Sequence, residues 1–378
     1  MSTKRYDINA SFEENKKNGP YDRDAIQDRN EAIQEVLGEY GIQTNFFWYK
    51  TNLPIGVAAW PLFNERYMMA AAKDGFSVIT WKTFRSEERL AHRNDGSYTG
   101  HNVVYLNRDT PLKQDEMWSY LEGSLENTTD PLHTTITNSF GMWSSVPEVW
   151  MPKVTEVEQR MMTNNKQTIA SVVASPKDGW TMEQLADDYT QTALKAEAAW
   201  ARVIEFNLSC PNVCSSEWSI YKSPETTAFI CEYAKKHLDA STKLLIKIWY
   251  NDKEGYRSLL APVVAHVDGI VAINTIPMKV VDGEEKQALP GGLTTGTCGF
   301  AINELAVEAT CYLAELRKET GRDFMLVGCG WVMNPEWFMA HIDAGADFVM
   351  CATAAWFNPD LPMQIAEYIR DNKIKTCI

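Results

Sequence analysis

The stretch RVIEFNLSCPNVCSS, residues 202–216, joins the strongest strand signal of the chain to a polar segment. An apolar run that ends at Phe206 is followed at once by two asparagines, a serine and a cysteine. A short apolar run of this kind is typical of a strand that is buried in a parallel sheet. The stretch therefore predicts a buried strand that carries polar side chains at its carboxyl end.

Seven further apolar segments alternate with helical patterns along the chain. The eight strand candidates are LPIGVAA (53–59), SVITWK (77–82), TIASVV (168–173), VIEFNL (203–208), LLIKI (244–248), GIVAIN (269–274), FMLVG (324–328) and DFVMCA (347–352). The helix start signals between them are Thr181 with Gln184 in capping-box spacing, Ser223 before Pro224, and Asn334 before Pro335. Eight strands that alternate with helices favour an α/β fold, a (β/α)8 TIM barrel. An open doubly wound sheet is the alternative.

Two regions depart from this regular pattern. About 85 residues separate the second strand from the third, and they include the polar and aromatic stretch 83–131. We expect a long excursion over one end of the barrel, because unstructured loops of that length are uncommon. The polar residues at the amino terminus predict an extension over 1–45, either a disordered arm or a strap on the body, ahead of a barrel domain over 46–378.

Composition limits the classes of function. A chain of 378 residues with 45% hydrophobic content can bury a large core, and its net charge of −14 disfavours nucleic acid as a partner. The eight cysteines are scattered and form no C-x-x-C pair, and neither terminus has a long apolar run. We therefore expect a cytoplasmic protein with reduced thiols, no metal site and no membrane partner.

Polar residues close several of the predicted strands. Lys82 ends the second strand, Asn274 with Thr275 ends the sixth, and Lys247 lies within the fifth. The fourth strand is closed by Asn207, Ser209, Cys210 and Asn212. A buried lysine is unfavourable unless an anion or an acceptor meets it. Each residue alone would be read as a structural polar group, but together they indicate a ligand at the carboxyl end of the barrel, where such folds build their active sites.

A series of motifs in fixed order supports this site. It consists of SVITWKT, TNSFGMW, FNLSCPN, LLIKI, AINT, PGGL, LVGCG and CATA. Over roughly residues 45 to 370, the chain resembles the dihydroorotate dehydrogenase family, including the related domain of dihydropyrimidine dehydrogenase, and FNLSCPN is the most specific of the shared motifs. The resemblance implies a TIM barrel that holds FMN, with the substrate stacked on the flavin beneath a loop that carries the acid/base residue.

The resemblance also implies roles for individual residues. Cys210 matches the catalytic base, with Lys82 beside it in the catalytic set. The substrate-binding positions are Asn138, Phe140, Gly141, Met142, Asn207, Asn212, Asn274 and Thr275, of which Phe140 to Met142 correspond to a carboxylate-binding turn. The cofactor-binding positions are Ala58, Ala59, Lys82, Ser171, Asn207, Lys247, Asn274, Gly292, Gly328, Gly330, Ala352 and Thr353, with the glycines and Thr353 at the FMN phosphate.

Elementary chemistry agrees with these roles. Removal of two hydrogens from a C–C bond needs a base and a hydride acceptor, and no side chain accepts hydride, whereas a flavin does. Asparagine amides offer an uncharged donor and acceptor to a uracil-like ring, and a fixed cation favours a reduced, anionic flavin. The implied function is an FMN-dependent oxidoreductase acting on a cyclic dihydropyrimidine-like substrate, in pyrimidine metabolism.

Two tryptophans depart from the family pattern. Trp60 and Trp331 stand where the family has glycine, and both should crowd the flavin. Tryptophans also occur at other predicted strand ends and loops, namely Trp81, Trp143, Trp218, Trp249 and Trp356. Either they pack the rim of the barrel or they form an aromatic wall that reshapes the pocket.

Two further functions stay open for this reason. One is an ene reductase or dehydrogenase for a different cyclic amide or unsaturated acid, and the other is a degenerate, non-catalytic flavin-binding protein. The sequence contains no G-x-G-x-x-G after a strand and therefore predicts no second nucleotide domain. We expect a small-molecule substrate, whereas a homodimer and the identity of the electron partner stay open.

Overall fold

Eight parallel strands form a closed barrel in the computed structural model, which describes residues 5–7, 10–21, 26–92, 103–106, 111–112, 122–124, 135–208, 220, 223–282 and 284–378. The barrel strands are β3 (Ile55–Val57), β4 (Val78–Thr80), β8 (Gln167–Val172), β9 (Val203–Asn207), β10 (Lys243–Ile248), β11 (Gly269–Ala272), β14 (Met325–Cys329) and β15 (Phe348–Cys351). They follow one another around the barrel in chain order, and β15 pairs with β3 to close it. The predicted TIM barrel is confirmed, and the open-sheet alternative is wrong.

Helices cover the outside of the barrel. They are α1 (Phe12–Asn18), α2 (Asn30–Leu37), α3 (Glu65–Asp74), α4 (Pro147–Thr163), α5 (Met182–Ala198), α6 (Pro224–His237), α7 (Lys253–Val263), α8 (Asn303–Thr320), α9 (Pro335–Asp343), α10 (Ala354–Phe357) and α11 (Leu361–Asp371). Thr181 and Gln184 form the predicted capping box, and Ser223 and Asn334 accept from backbone N–H groups at the starts of their helices. Within the described ranges, no helix combines the length and hydropathy needed to cross a membrane.

Two smaller sheets close the ends of the barrel. At the amino end, β1 (Gly41–Phe46) pairs with β2 (Tyr49–Thr51) and with β16 (Lys375–Cys377). At the carboxyl end, a five-stranded sheet contains β5 (Val103–Leu106), β6 (Glu122–Ser124), β7 (Thr135–Asn138), β12 (Ile276–Val281) and β13 (Thr294–Gly299). The excursion supplies β5, β6 and β7, whereas the hairpin of β12 and β13 leaves the barrel after β11 and was not predicted.

Alternate residues of the barrel strands face inward, as the period of a strand requires. Towards the amino end they form one buried apolar cluster, which we call the apolar layer: Val78, Ile169, Val203, Leu245, Val271, Val327, Phe348 and Met350. Phe46 of β1 packs against this layer from below. The intervening residues, such as Leu244 and Ile246, belong to the outer core with the helices. This double burial explains the nearly continuous apolar runs of the sequence.

The described part of the amino-terminal extension lies on the body as a strap. The Arg5 guanidinium donates to both carboxylate oxygens of Asp74 at 2.6 and 3.2 Å, and both side chains are buried. The Tyr6 ring stacks on Trp356 with ring centroids 3.9 Å apart. Phe12 of α1 contacts the ring of Trp143, near the carboxyl end of the barrel. The strap therefore holds the loops that surround the site described next.

Candidate active site

A cavity lies at the carboxyl ends of the barrel strands, beneath the five-stranded sheet. The predicted residues that line it are Ala59, Lys82, Asn138, Phe140, Met142, Asn207, Lys247, Asn274, Thr275, Gly330, Ala352 and Thr353. Its described lining also includes Trp60, Thr83, Ile273, Cys298, Gly299, Ile302, Cys329 and Trp331. Residues from the barrel, from the upper sheet and from the loops thus meet in one place.

Other predicted site residues lie elsewhere or outside the described ranges. Ala58, Gly141, Ser171, Gly292 and Gly328 are not part of the cavity lining. Ala58 packs with the apolar layer, and Ser171 lies inside the barrel, where its hydroxyl is 3.1 Å from that of Thr83. Cys210 and Asn212 lie outside the described residues, so their roles stay predictions.

A chain of hydrogen bonds fixes the two barrel asparagines. Asn274 Nδ2 donates to Asn207 Oδ1 at 3.1 Å, and Asn207 Nδ2 donates to Thr83 Oγ1 at 3.2 Å. The backbone N–H of Thr275 donates to Asn274 Oδ1 at 2.9 Å. The amide orientations are therefore set before any ligand binds, which lowers the cost of recognising one.

Lys247 places a buried positive charge in the cavity wall. It lies opposite Asn207 in the pairing of β10 with β9, and only 4% of its surface is exposed. Glu205, two residues before Asn207, is fully buried, and burial raises the pKa of its carboxyl although Lys247 and Ser171 partly offset this. Neither carboxylate oxygen of Glu205 has a donor within hydrogen-bonding geometry among the described residues. The Lys247 ammonium group thus lines the cavity, whereas the Glu205 carboxyl is buried in the barrel and does not line it.

Lys82 supplies a second buried cation at the end of β4. Its Nζ donates to the backbone oxygen of Trp143 at 3.4 Å and lies 5.3 Å from the centroid of the Trp143 ring. With Lys247, it gives the cavity two ammonium groups, and the described lining contains no Asp or Glu. The electrostatics of the cavity therefore favour an anionic or electron-rich ligand.

The cysteines in the described lining are poor bases. Burial raises the pKa of the Cys298 thiol to about 12 and also raises the pKa of Cys329, even though Lys247 lowers both in part. Both remain protonated thiols at neutral pH. Neither can accept a proton as a thiolate would.

A tight turn over residues 139–142 forms the roof of the cavity, and His92 holds it. The His92 backbone N–H donates to Phe140 O at 3.2 Å, and His92 Nδ1 lies 3.1 Å from Ser139 Oγ. Gly141 has a φ of +70°, and a Cβ built on it would lie 2.5 Å from His92 Nε2. Burial, and then the charge of Arg89, lower the pKa of His92, so the ring stays neutral at neutral pH. Sequence reasoning missed His92, because it lies in the excursion outside the recognised motifs.

The two unexpected tryptophans both line the cavity, and both have unusual backbones. Trp60 has a φ of +140° and Trp331 a φ of +48°, in a region that favours glycine. Strained residues of this kind cluster at functional sites. The indole N–H of Trp60 is buried and has no acceptor among the described residues. The hydroxyl of Thr275 is also buried, so two polar groups of the lining lack a partner within the described part of the chain.

The donor set fits a flavin. Lys82 and Lys247 would face the electron-rich ring system, and the fixed amides of Asn207 and Asn274 match ring carbonyl and N–H groups. The unpartnered groups of Trp60 and Thr275 add donors that a bound ligand can satisfy. The indoles of Trp60 and Trp331 narrow the space in which such a ligand would lie.

Comparison with known proteins agrees with this geometry. The family model for dihydroorotate dehydrogenase matches residues 129–372. A dihydroorotate dehydrogenase of Dictyostelium discoideum is 31% identical over 369 residues, which cover 95% of each chain. The catalytic subunit of a dihydroorotate dehydrogenase B (NAD(+)) from Thermodesulfovibrio yellowstonii is 29% identical over 188 residues, which cover 49% of this chain and 59% of that protein. The chain belongs to the dihydroorotate dehydrogenase family and is, like its members, an oxidoreductase that acts on CH–CH bonds.

Proposed function

We propose that the protein moves a hydride between a cyclic dihydropyrimidine-like substrate and FMN, with Cys210 as the acid/base. The observation that carries the proposal is the buried Lys247 beside the hydrogen-bonded pair of Asn207 and Asn274, in a cavity whose described lining has no acidic side chain. When bound, FMN supplies the hydride acceptor that side chains cannot provide.

The residues of the chain then have separate tasks. Asn138, Asn207 and Asn274 orient the substrate ring through amide hydrogen bonds, and Lys247 stabilises negative charge that develops during the reaction. Cys210 exchanges a proton with the ring. The neutral thiols of Cys298 and Cys329 do not compete for this role, because the pKa of each is raised. A thiol serves as a base at neutral pH only where a cation or a dipole lowers its pKa.

Replacement of Cys210 tests the proposal. In anaerobic single-turnover mixing with dihydroorotate, Cys210→Ala should slow flavin reduction by about 10²–10⁴-fold and leave FMN bound, since a general base contributes about that much. Cys210→Ser should keep some activity with its optimum moved to higher pH, because a hydroxyl is a weaker acid. Cys214→Ala is the matched control and should react like the wild type. A wild-type rate in Cys210→Ala would remove Cys210 from the mechanism.

A second candidate is an ene reductase or dehydrogenase for a different cyclic amide or unsaturated acid. The positions of Trp60 and Trp331 in the cavity lining favour it, because two indoles leave less room than two glycines. Trp60→Gly and Trp331→Gly should then enlarge the site and change the ranking of ligands in a binding titration. If the indoles are only packing groups, each change should lower stability by about 3–5 kcal/mol and leave the ranking unchanged.

A further inference from the structure

A cleft of about 620 Å³ lies at the amino end of the barrel, opposite the candidate active site. Its walls are the sheet of β1, β2 and β16, helix α2, and the turns that lead into β3, β4 and β8. Small-molecule sites typically occupy roughly 300–1,000 Å³. None of the described residues with a role in the proposed reaction lines this cleft.

The charge of the cleft is opposite to that of the whole chain. Its described lining contains Lys50 and Lys166 and no Asp or Glu, although the chain has a net charge of −14. Neither ammonium group forms an ion pair with a residue in the described ranges. Burial lowers the pKa of Lys166 to about 8, and the charge of Asp28 offsets this only in part. A bound anion would supply the missing counter-charge.

The backbone that carries Lys166 is fixed by the end of a helix. Asn165, just beyond α4, has a φ of +49°, a left-handed conformation that asparagine tolerates. The Lys166 N–H donates to Met161 O at 2.9 Å and so closes the last turn of α4. The lysine is therefore held at the wall of the cleft by a helix cap and by β8, which begins at the next residue.

Uncharged polar groups make up most of the remaining wall. The hydroxyls of Thr51 and Ser77 are 3.2 Å apart, and Ser77 Oγ donates to Leu53 O at 2.8 Å. Asn52 Nδ2 donates to Gln34 Oε1 at 3.0 Å. Fixed amides and hydroxyls of this kind offer both donors and acceptors, which suits a ligand with several hydroxyl groups.

We propose that this amino-end cleft binds a phosphorylated sugar, with Lys166 and Lys50 on the phosphate and the wall amides on the sugar hydroxyls. Two ammonium groups match a phosphate monoester, which carries a charge of about −1.5 to −2 at neutral pH, better than a single carboxylate. A free sugar phosphate and the sugar phosphate of a nucleotide share this chemistry. A titration with ribose 5-phosphate and with a nucleoside 5′-monophosphate distinguishes these two kinds of ligand.

Calorimetric titration of the full chain tests the site. Saturating FMN is present, so that any phosphate position at the candidate active site is already filled. Ribose 5-phosphate should bind with saturation, and ribose should bind at least about tenfold more weakly, because it lacks the charge-assisted contacts. A nucleoside 5′-monophosphate that binds more tightly than ribose 5-phosphate would assign the site to nucleotides.

Lysine variants test whether ribose 5-phosphate binds in the amino-end cleft. Lys166→Met should weaken ribose 5-phosphate by about tenfold or more, and Lys50→Met should weaken it less, because Lys50 is exposed. Lys286→Met is the control, since Lys286 forms an exposed ion pair with Glu284 near the other end of the barrel. If Lys166→Met melts at a lower temperature without ligand, Lys166→Gln replaces it in the titration.

Three results would overturn the proposal. They are no saturable binding of ribose 5-phosphate to the wild type, an unchanged affinity in both Lys166 variants, or an equal loss in Lys286→Met. None of them depends on flavin reduction. Failure of this site is therefore distinguishable from failure of the proposed activity.

Discussion

The two ends of the barrel interior differ sharply, although the same strands build both. Towards the amino end, the inward residues form the apolar layer, with Leu245 and Val203 among its members. Two residues further along β9 and β10, the inward positions are Glu205 and Lys247, followed by Asn207. We call these three residues with Ser171 the polar layer. Equal burial thus has two purposes under the proposed function: the apolar layer stabilises the fold, whereas the polar layer serves a ligand.

Substitutions at two inward positions of β10 should affect stability and FMN binding differently. Leu245→Ala should lower the free energy of unfolding by about 2–5 kcal/mol, because it leaves a cavity in a closed core. Lys247→Met should lower the free energy of unfolding less than Leu245→Ala does, because methionine keeps the length of the aliphatic stem and a buried charge is removed, while Glu205 loses a charge that partly offsets its burial. It should also weaken FMN binding or slow flavin reduction.

Urea unfolding and FMN titration of both variants measure these effects. The comparison fails if Lys247→Met is as destabilised as Leu245→Ala, because Lys247 would then be part of the stabilising core. It also fails if Leu245→Ala loses FMN affinity as strongly as Lys247→Met under conditions where both are folded.

A buried titratable group outside the barrel provides a contrast to the polar layer. His341 of α9 is fully buried, its Nδ1 lies 3.0 Å from Thr310 Oγ1, and a Cβ added to Gly328 would lie 2.5 Å from that nitrogen. Burial lowers the pKa of His341 from 6.5 to about 4. The unfolded chain therefore binds more protons, and stability should fall by about 3 kcal/mol as the pH decreases through this range.

Unfolding curves of His341→Gln over the same pH range check this expectation. The variant should lose less stability than the wild type as the solution is acidified. FMN affinity should be affected little at neutral pH, because His341 does not line the cavity. An identical pH dependence in both proteins would show that His341 does not titrate as inferred.

The smallest expected effect concerns Glu205 in the polar layer. Because burial raises its pKa, the cost of ionising Glu205 grows as the pH rises above the ordinary value of 4.5. Glu205→Gln should therefore be slightly more stable than the wild type at neutral pH, by at most about 1 kcal/mol, and equal to it in acid. A large loss of stability would mean that the carboxylate has a stabilising partner, and the polar layer would then resemble the apolar one.

Local sequence signals predicted most of the barrel and part of the cavity lining, and the family resemblance supplied the other predicted lining residues. The eight strands and three helix starts are local patterns, and polar residues such as Lys82, Asn207 and Asn274 mark strand ends directly in the chain. His92 could not be found this way, because its contacts with the turn near Gly141 join segments about 50 residues apart in sequence. The strap and the hairpin of β12 and β13 depend likewise on packing against distant segments. Cys210 and Asn212 follow a strand end in the chain, but their roles come from the resemblance and stay predictions.

Anaerobic titration of the FMN-loaded protein with dihydroorotate, followed by the visible absorbance of the flavin, tests whether the polar layer serves a flavin-dependent reaction. The protein should retain FMN, and its yellow colour should bleach on addition of dihydroorotate, with Lys247→Met impaired and Leu245→Ala still reactive while folded. A protein that fails to bind FMN would contradict the assignment of the polar layer to a flavin. Retained FMN that no dihydropyrimidine-like ring bleaches would contradict the proposed reaction.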